Sequence, residues 1–308
     1  MSSSFQDFDI KSLRVFREIV NNGGFAAAQI NLNTSASRIS TQISDLESRL
    51  GVKLCKRGRA GFSLTEAGRE IYEHGEQLFR AIEDFRMAAS ETQLTLSGEI
   101  RFGLCDNLAT NANIKIPQAI NKFKSRKNNV TLDLQIEQPL TLEAGVMDGR
   151  LHLAIGVFFH RVRTLNYEPI STEIQYLYCG REHPLFLIKN KNIKIKNLYK
   201  YDYANRKQAE TEGELSGGFN TVNTTVSSAA SNNMEALTIL VLSGTYLAFL
   251  PEETARAWVE QGYMKKILPE KLNAKTTLNL ITKKRANRHH ALDIFINDII
   301  SLHQVSET

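Results

Sequence analysis

Apolar side chains recur through the first ninety residues at helical spacings. Leu13, Phe16, Ile19 and Val20 line one side of a helix over 9–22, and Gly23 and Gly24 end it. The Ala-rich run Phe25 to Ile30 predicts a second, short helix. Ile39, Ile43, Leu46 and Leu50 then follow at steps of four, three and four, the stripe of a third helix. Asn33, Thr34 and Ser35 offer capping oxygens before it, and Gly51 suits its C-terminus. Val52 to Leu64, with Gly58 and Gly61, reads as a two-stranded wing. Thr65 can cap a longer helix from about Glu66 to Thr92, where Ile71, Leu78, Phe85 and Thr92 fall seven apart with Ala81 and Ala88 between them. Sustained heptads predict a seam between two helices, hence dimerisation; packing on its own domain is the alternative.

From Gly98 the period changes. Ile100, Phe102 and Leu104 alternate as in a strand, Ile116, Ala119, Ile120 and Phe123 form a helix stripe, and Leu132, Leu134 and Ile136 alternate again. A short helix over Leu142 to Gly149 leads into a strand through Leu151, Leu153, Ile155 and Val157. A second such unit begins at Ser171 to Gly180, with strands near Tyr201 to Ala204, Thr221 to Val226 and Thr245 to Leu250 and a helix over Asn232 to Leu242. Gln208 to Gly218 reads as a loop. The last strand (Thr276 to Thr282) and a helix through Leu292, Phe295, Ile296 and Ile299 are expected to return to the first unit. Strand–helix repetition predicts an α/β fold, a largely parallel sheet with helices on both faces. Two lobes joined by two crossings make a clamp, with a cleft at the strand carboxyl ends.

Composition refines this picture. A length of 308 residues suits two or three domains. Net charge is +5, but residues 1–65 hold nine Lys/Arg against five Asp/Glu, about +4 in a fifth of the chain. Residues 66–95 reverse the balance, with seven acidic residues against three Arg. A local basic excess is what a nucleic-acid-binding module needs. Cys55, Cys105 and Cys179 are too few and too widely spaced for a disulfide framework or a zinc site, so reduced thiols in a cytoplasm are expected. Charges at Asp7, Asp9, Lys11, Arg14 and Arg17 argue against a signal peptide, and no apolar run approaches membrane-spanning length.

Opposite the apolar stripe of the third helix lie Ser35, Ser37, Arg38, Thr41 and Gln42, small or hydrogen-bonding residues suited to base edges in the major groove. Gln42 has a second reading, as a brace for the helix. Lys53, Arg57 and Arg59 on the wing suit phosphates or the minor groove. In the α/β half, Cys105, Asp106, Asn107 and Thr110 follow the first strand, Gln138 and Pro139 the second, and Phe158 and Phe159 the strand through Val157. Asn205 and Arg206 follow a strand of the second lobe, and Ser231 and Asn232 precede a helix. These twelve are the candidate effector contacts. Arg206 can clamp a carboxylate bidentately, although Asp106 could equally pair with it. Cys105 is expected to be a structural thiol. His289 and His290 are adjacent, do not face one metal, and are expected at the surface. Gly213 to Gly218 lacks the strand and helix of a dinucleotide loop, and Trp258 is expected in the core. No nucleophile–base arrangement or metal-ligand spacing stands out, so no enzyme, metal or cofactor is expected.

Leu13 to Gly68 resembles the DNA-binding domain of LysR-type transcriptional regulators. The match rests on Leu13-x-x-Phe16, Gly23 to Ala28, Ser40-x-Gln42-Ile43-x-x-Leu46-Glu47, Leu50-Gly51-Val52-x-Leu54, Arg57 and Leu64 to Gly68. More loosely, Gly98-x-Ile100-Arg101-Phe102-Gly103, Gly149-x-Leu151-x-Leu153-Ala154-Ile155, His183-Pro184-Leu185 and the run Gly244 to Pro251 are similar to the family's effector half. Ala36, Ser37, Arg38, Thr41 and Cys55 depart from the common pattern, so the base-reading face is this chain's own. The resemblance implies a winged helix-turn-helix (1–65), a linker and dimerisation helix (66–95) and a two-lobed domain like periplasmic binding proteins (96–308; lobe I 96–170 and 271–308, lobe II 171–270). It implies double-stranded DNA and a small-molecule effector, often a carboxylate, as partners, with a dimer or tetramer as the working form. The alternatives are a solute-binding clamp without regulatory role and a ligand-independent DNA binder.

Overall fold

The computed structural model describes residues 7–58, 61–90, 96–206, 228–284 and 288–304, with side chains left undescribed at 7, 8, 57, 58 and 87–90. The chain forms two compact units that divide after Arg86.

In the first unit, α1 (Asp7–Asn21), α2 (Phe25–Leu32) and α3 (Ala36–Leu50) enclose Phe16, Ile19, Ile39, Ile43 and Leu46, all buried. The predicted stripe is therefore the core face of α3. Ser35 caps it by accepting from the Arg38 N–H at 3.3 Å, and Gly51 ends it at φ 73°, a conformation that costs glycine little. Asp9, almost fully buried, ties the start of α1 to the end of α3 through two bonds from Arg49, of 2.7 and 2.9 Å. The wing strands β1 (Cys55–Gly58) and β2 (Gly61–Leu64) pair antiparallel, Cys55 opposite Leu64.

Helix α4 (Glu66–Ser90) is held against the base of the wing. The Thr65 hydroxyl donates to the Lys53 carbonyl at 2.5 Å and accepts from the Gly68 N–H at 2.8 Å. Gly68 passes so close to β1 that a Cβ there would lie 2.0 Å from the Leu54 carbonyl oxygen. Further along, Phe79 is buried, with the Arg17 guanidinium 4.5 Å from its ring centre, and Tyr72 donates to Asn21 at 2.7 Å. The heptad positions divide. Ile71 and Leu78 pack partly against the unit's own core, whereas Ala81 is exposed and Phe85 is 72% exposed. The Ala88 side chain, and Thr92 altogether, lie outside the described residues.

Among the described residues, the second unit is built on a nine-stranded sheet. Strands β3 (Ser97–Leu104), β4 (Asn129–Ile136) and β5 (Leu153–Val157), with α5 (Ile116–Lys124) and α6 (Pro139–Met147), form lobe I. Lobe II comprises β7 (Asp202–Arg206), β8 (Ala229–Ser231), α7 (Met234–Leu242), β9 (Tyr246–Pro251), α8 (Glu252–Glu260) and β10 (Met264–Lys266). Between them run β6 (Leu165–Gly180) and β11 (Asn273–Lys283), and α9 (His290–Gln304) closes lobe I. The strand order is β4-β3-β5-β11-β6-β9-β7-β8, with β10 beside β6.

The expected largely parallel sheet is corrected. Pairing is parallel at both ends, β4–β3–β5 and β9–β7–β8, but antiparallel wherever β6 or β11 takes part. The reason is that the chain crosses between lobes as two long strands running in opposite directions, not as helical crossovers. As expected, β11 and α9 return to lobe I, where Phe295 meets Phe102 and Phe123 edge-on at 5.3 and 5.2 Å. Along β6, Leu177 faces one lobe II core and Tyr178 the other, the period-two pattern of a sheet covered on both faces. The segments Gln208 to Gly218 and Thr221 to Val226 lie outside the described residues.

His289 is not at the surface. It is buried, accepts from the Leu292 N–H at 3.1 Å at the start of α9, and packs edge-on against His152. Its neighbour His290 is exposed. Among the described residues no helix is long and apolar enough to cross a membrane.

Candidate functional site

The first candidate surface is the polar side of α3. Burying Ile39, Ile43 and Leu46 against α1 forces the opposite face outward, so Ser35, Ser37, Arg38 and Thr41 are exposed. Ser35 is engaged as the cap, and the Thr41 hydroxyl donates to the Ser37 carbonyl one turn back at 3.1 Å. Arg38 forms no ion pair among the described residues. Gln42 differs: it is half-buried and donates to the Ser12 hydroxyl of α1 at 3.3 Å, the bracing role.

On the wing, Lys53 turns back to Glu47 at 2.7 Å. Glu47 also accepts from the N–H groups of Leu54 at 2.8 Å and Cys55 at 3.3 Å, so one buried carboxylate fixes the wing to the end of α3. Burial opposes its charge, but Lys53 and the two N–H donors outweigh burial and hold its pKa below the usual glutamate value. The side chain of Arg57, and Arg59 altogether, lie outside the described residues.

The second candidate is a cavity of about 640 Å³ between the lobes of the α/β unit. The carboxyl ends of strands deliver its walls, as the topology requires. Lobe I contributes Asp106, Asn107 and Thr110 after β3, Ile136 at the end of β4, and Glu137 and Gln138 after it. Lobe II contributes Arg206 from β7, Asn232 and Asn233 before α7, Glu235 and Thr238 on α7, and Thr254 and Trp258 on α8.

Polar bonds join the lobes across this cavity. Asp106 meets Arg206 at 2.5 Å through one oxygen and accepts from the Met234 N–H, at the start of α7, through the other. Asn107 donates to the Thr254 hydroxyl. The anticipated competition for Arg206 is thus taken up by Asp106. Behind the wall, Glu173 on β6 accepts from Asn111 at 2.8 Å, and burial raises its pKa.

Six of the twelve candidate contacts line the cavity: Asp106, Asn107, Thr110, Gln138, Arg206 and Asn232. The other six do not. Cys105 is buried behind Asp106, and burial, reinforced by the Asp106 charge, pushes its thiol up to about 12. Pro139 is buried in the first turn of α6, and Phe158 packs on Tyr167. Phe159 and Asn205 are half-buried outside the lining, and the Ser231 hydroxyl is engaged with the backbone of Asn233. Trp258, expected in the core, packs partly on a lobe II core yet also lines the cavity, a correction caused by its place on the helix that follows β9. Sequence reading missed Ile136, Glu137, Asn233, Glu235, Thr238 and Thr254. Applying the strand-end rule to β9, as to the other strands, would have found Thr254 and Trp258.

Residues 94–301 match the family model described as the LysR substrate binding domain, and residues 10–69 match that of the bacterial regulatory helix-turn-helix protein, lysR family. The chain belongs to the LysR family. Among its relatives is the HTH-type transcriptional activator BauR of Pseudomonas aeruginosa, 33% identical over 293 residues and covering 95% of both chains. A probable RuBisCO transcriptional regulator of Thalassiosira pseudonana is 23% identical, covering 95% of this chain and 97% of its own. Solved structures with the same fold include full-length CbnR with its target DNA, at TM-score 0.67 and 18% identity, covering 95% of this chain and 99% of that one. This LysR-type chain is a DNA-binding transcriptional regulator with an effector-binding domain. Its family is one of transcription regulators.

Proposed function

We propose that this regulator reads its operator with the exposed polar face of α3, and that the cavity between the α/β lobes holds its effector. Ser37, Arg38 and Thr41 face base edges, Ser35 sits at the phosphate end of α3, and Lys53, Arg57 and Arg59 follow the backbone beside it. Gln42 braces α3 against α1. The exposed heptad positions Ala81 and Phe85 support self-association through α4, so that two copies of α3 meet a partly palindromic site. A tetramer extends the same logic. The chain works in the cytoplasm, with no catalytic step of its own.

The observation that carries this reading is Arg38, exposed on α3 without an ion pair among the described residues. The experiment is an unbiased selection of duplexes by the full-length protein, followed by affinity measurements on Arg38→Ala and Gln42→Ala. Arg38→Ala is expected to cost about 1–3 kcal/mol at the selected site and to relax one base position. Gln42→Ala should lower the melting temperature of the DNA-binding unit and leave base preference unchanged. An Arg38→Ala protein with unaltered preference would refute the assignment.

A further inference from the structure

Two arginine–aspartate pairs of this chain differ in one respect. In the DNA-binding unit, Arg49 gives Asp9 both its Nε and its Nη2, at 2.7 and 2.9 Å, so that edge of the guanidinium meets both carboxylate oxygens. In the cleft, Arg206 meets Asp106 through Nη2, at 2.5 Å. The Arg206 Nε is buried and has no hydrogen-bond partner among the described residues. The other Asp106 oxygen is committed elsewhere: it accepts from the N–H of Met234, the first residue of α7. A buried donor left without an acceptor costs stability, so the same edge that is filled in Arg49 is half-filled in Arg206.

The reason is attachment. Asp106 follows β3 in lobe I, whereas Arg206 ends β7 and Met234 begins α7 in lobe II. Held by its own backbone, Asp106 divides its oxygens between the guanidinium and the helix terminus. A carboxylate that enters from the cavity has no such tether and can take Nε and Nη2 together. Asp106 thus marks, with its own charge, a seat for an anion made by Arg206 and the positive end of α7.

We propose that the effector carries a carboxylate that displaces Asp106 from Arg206, so that Asp106 is a built-in competitor for the effector and the latch of the unliganded cleft. The incoming group completes the Nε–Nη2 edge that Asp106 leaves half-filled. The direct tie from Asp106 to lobe II is then replaced by the effector, while the bond from Asn107 to Thr254 stays, and the exchange alters what sets the spacing of the lobes. Glu137 and Glu235 also line the cavity and repel a second anionic group, so the remainder of the effector is not anionic. The inference rests on the cavity being the effector site.

The test titrates the full-length protein calorimetrically with pentanoate, pentanedioate and pentanamide, the neutral isostere of pentanoate. Each variant is first shown to keep a cooperative unfolding transition in the effector unit. Pentanoate is expected to bind the parent, and to bind Asp106→Asn roughly tenfold more tightly, because the competing charge is gone while the side chain keeps its shape. Pentanedioate should gain by a like factor from a weaker start, and pentanamide should not respond. Glu235→Gln removes one charge from the same cavity without touching the seat, and should raise pentanoate affinity by no more than about threefold. Arg206→Gln should abolish the gain. An Asp106→Asn gain no larger than that of Glu235→Gln, a gain shared by pentanamide, or no pentanoate binding to either parent or variant overturns the exchange. Thr110→Trp fills part of the cavity from an exposed position and tells this failure from that of the underlying reading. Pentanoate binding that survives both Thr110→Trp and Arg206→Gln lies elsewhere and removes the cavity as effector site. Binding lost in Thr110→Trp but indifferent to Asp106→Asn keeps the cavity and removes the exchange alone.

Discussion

The polar groups of the two units stand in different states. On α3, Ser37 and Arg38 point outward with side chains that no other described element engages. In the cleft, Asp106, Arg206, Asn107 and Thr254 are bonded to one another across two lobes. An open face suits a large partner that brings its own acceptors and donors. An engaged cleft suits a switch: a ligand gains only by adding to, or exchanging with, contacts that already set the spacing of the lobes, and that difference couples occupancy to arrangement.

The contrast predicts that the units fail separately. Gly68→Val should have the largest effect, because its side chain would meet the Leu54 carbonyl, which belongs to the backbone and cannot swing aside. The expected cost is about 3 kcal/mol or more to the DNA-binding unit. Calorimetry of the full chain should show one transition moved down and the effector unit's transition unmoved, with DNA binding lost. A single merged transition that falls as one would break the comparison.

The next effect lies in the cleft. Asp106→Asn keeps an acceptor for the Met234 N–H but removes the charge that holds Arg206. A loss of about 1–3 kcal/mol is expected in the effector unit alone. The same change frees the Arg206 guanidinium of β7 beside the start of α7, so pentanedioate should bind this variant more tightly than the parent. Unchanged selectivity would mean that Asp106 is a stabilising contact with no bearing on ligand choice.

The DNA-binding unit was the more legible in sequence, for physical reasons. Its helices are fixed by local rules, so the stripe through Ile39, Ile43 and Leu46, the Ser35 cap and the Gly51 turn could each be read from a few neighbours. The tie between Asp9 and Arg49 joins residues forty apart and left no local trace. In the effector unit, alternation identified strands but not their directions, because β6 and β11 show the same period whether their neighbours run parallel or antiparallel. The strand-end rule placed Asp106 and Arg206 in the cleft, yet their pairing spans a hundred residues and needed the fold. Phe158 followed a strand too, but packing on Tyr167 drew it away from the cavity. Exposure along α4 is likewise non-local, since the core of the unit takes Leu78 and leaves Phe85.

The smallest effect is one of pH, and it should again separate the units. In the effector unit His303 is buried, its Nε2 accepting the Lys115 N–H at 3.0 Å and its Nδ1 lying 2.7 Å from the Ile299 carbonyl oxygen. Burial lowers its pKa below the ordinary 6.5 despite the carbonyl, and burial lowers that of His183 as well. The native state therefore resists a proton that the unfolded chain accepts near pH 6.5. Stability from these two residues is complete above that value and is lost as pH falls below it toward their lowered folded-state values. In the DNA-binding unit, Glu47 carries a lowered carboxyl pKa, so its contribution persists until pH falls below about 4.5. Melting curves between pH 7 and 5 should show the effector unit's transition moving down first, and His303→Gln should flatten that slope. If the DNA-binding unit moved first in that window, Glu47 would not be the group that governs its acid sensitivity.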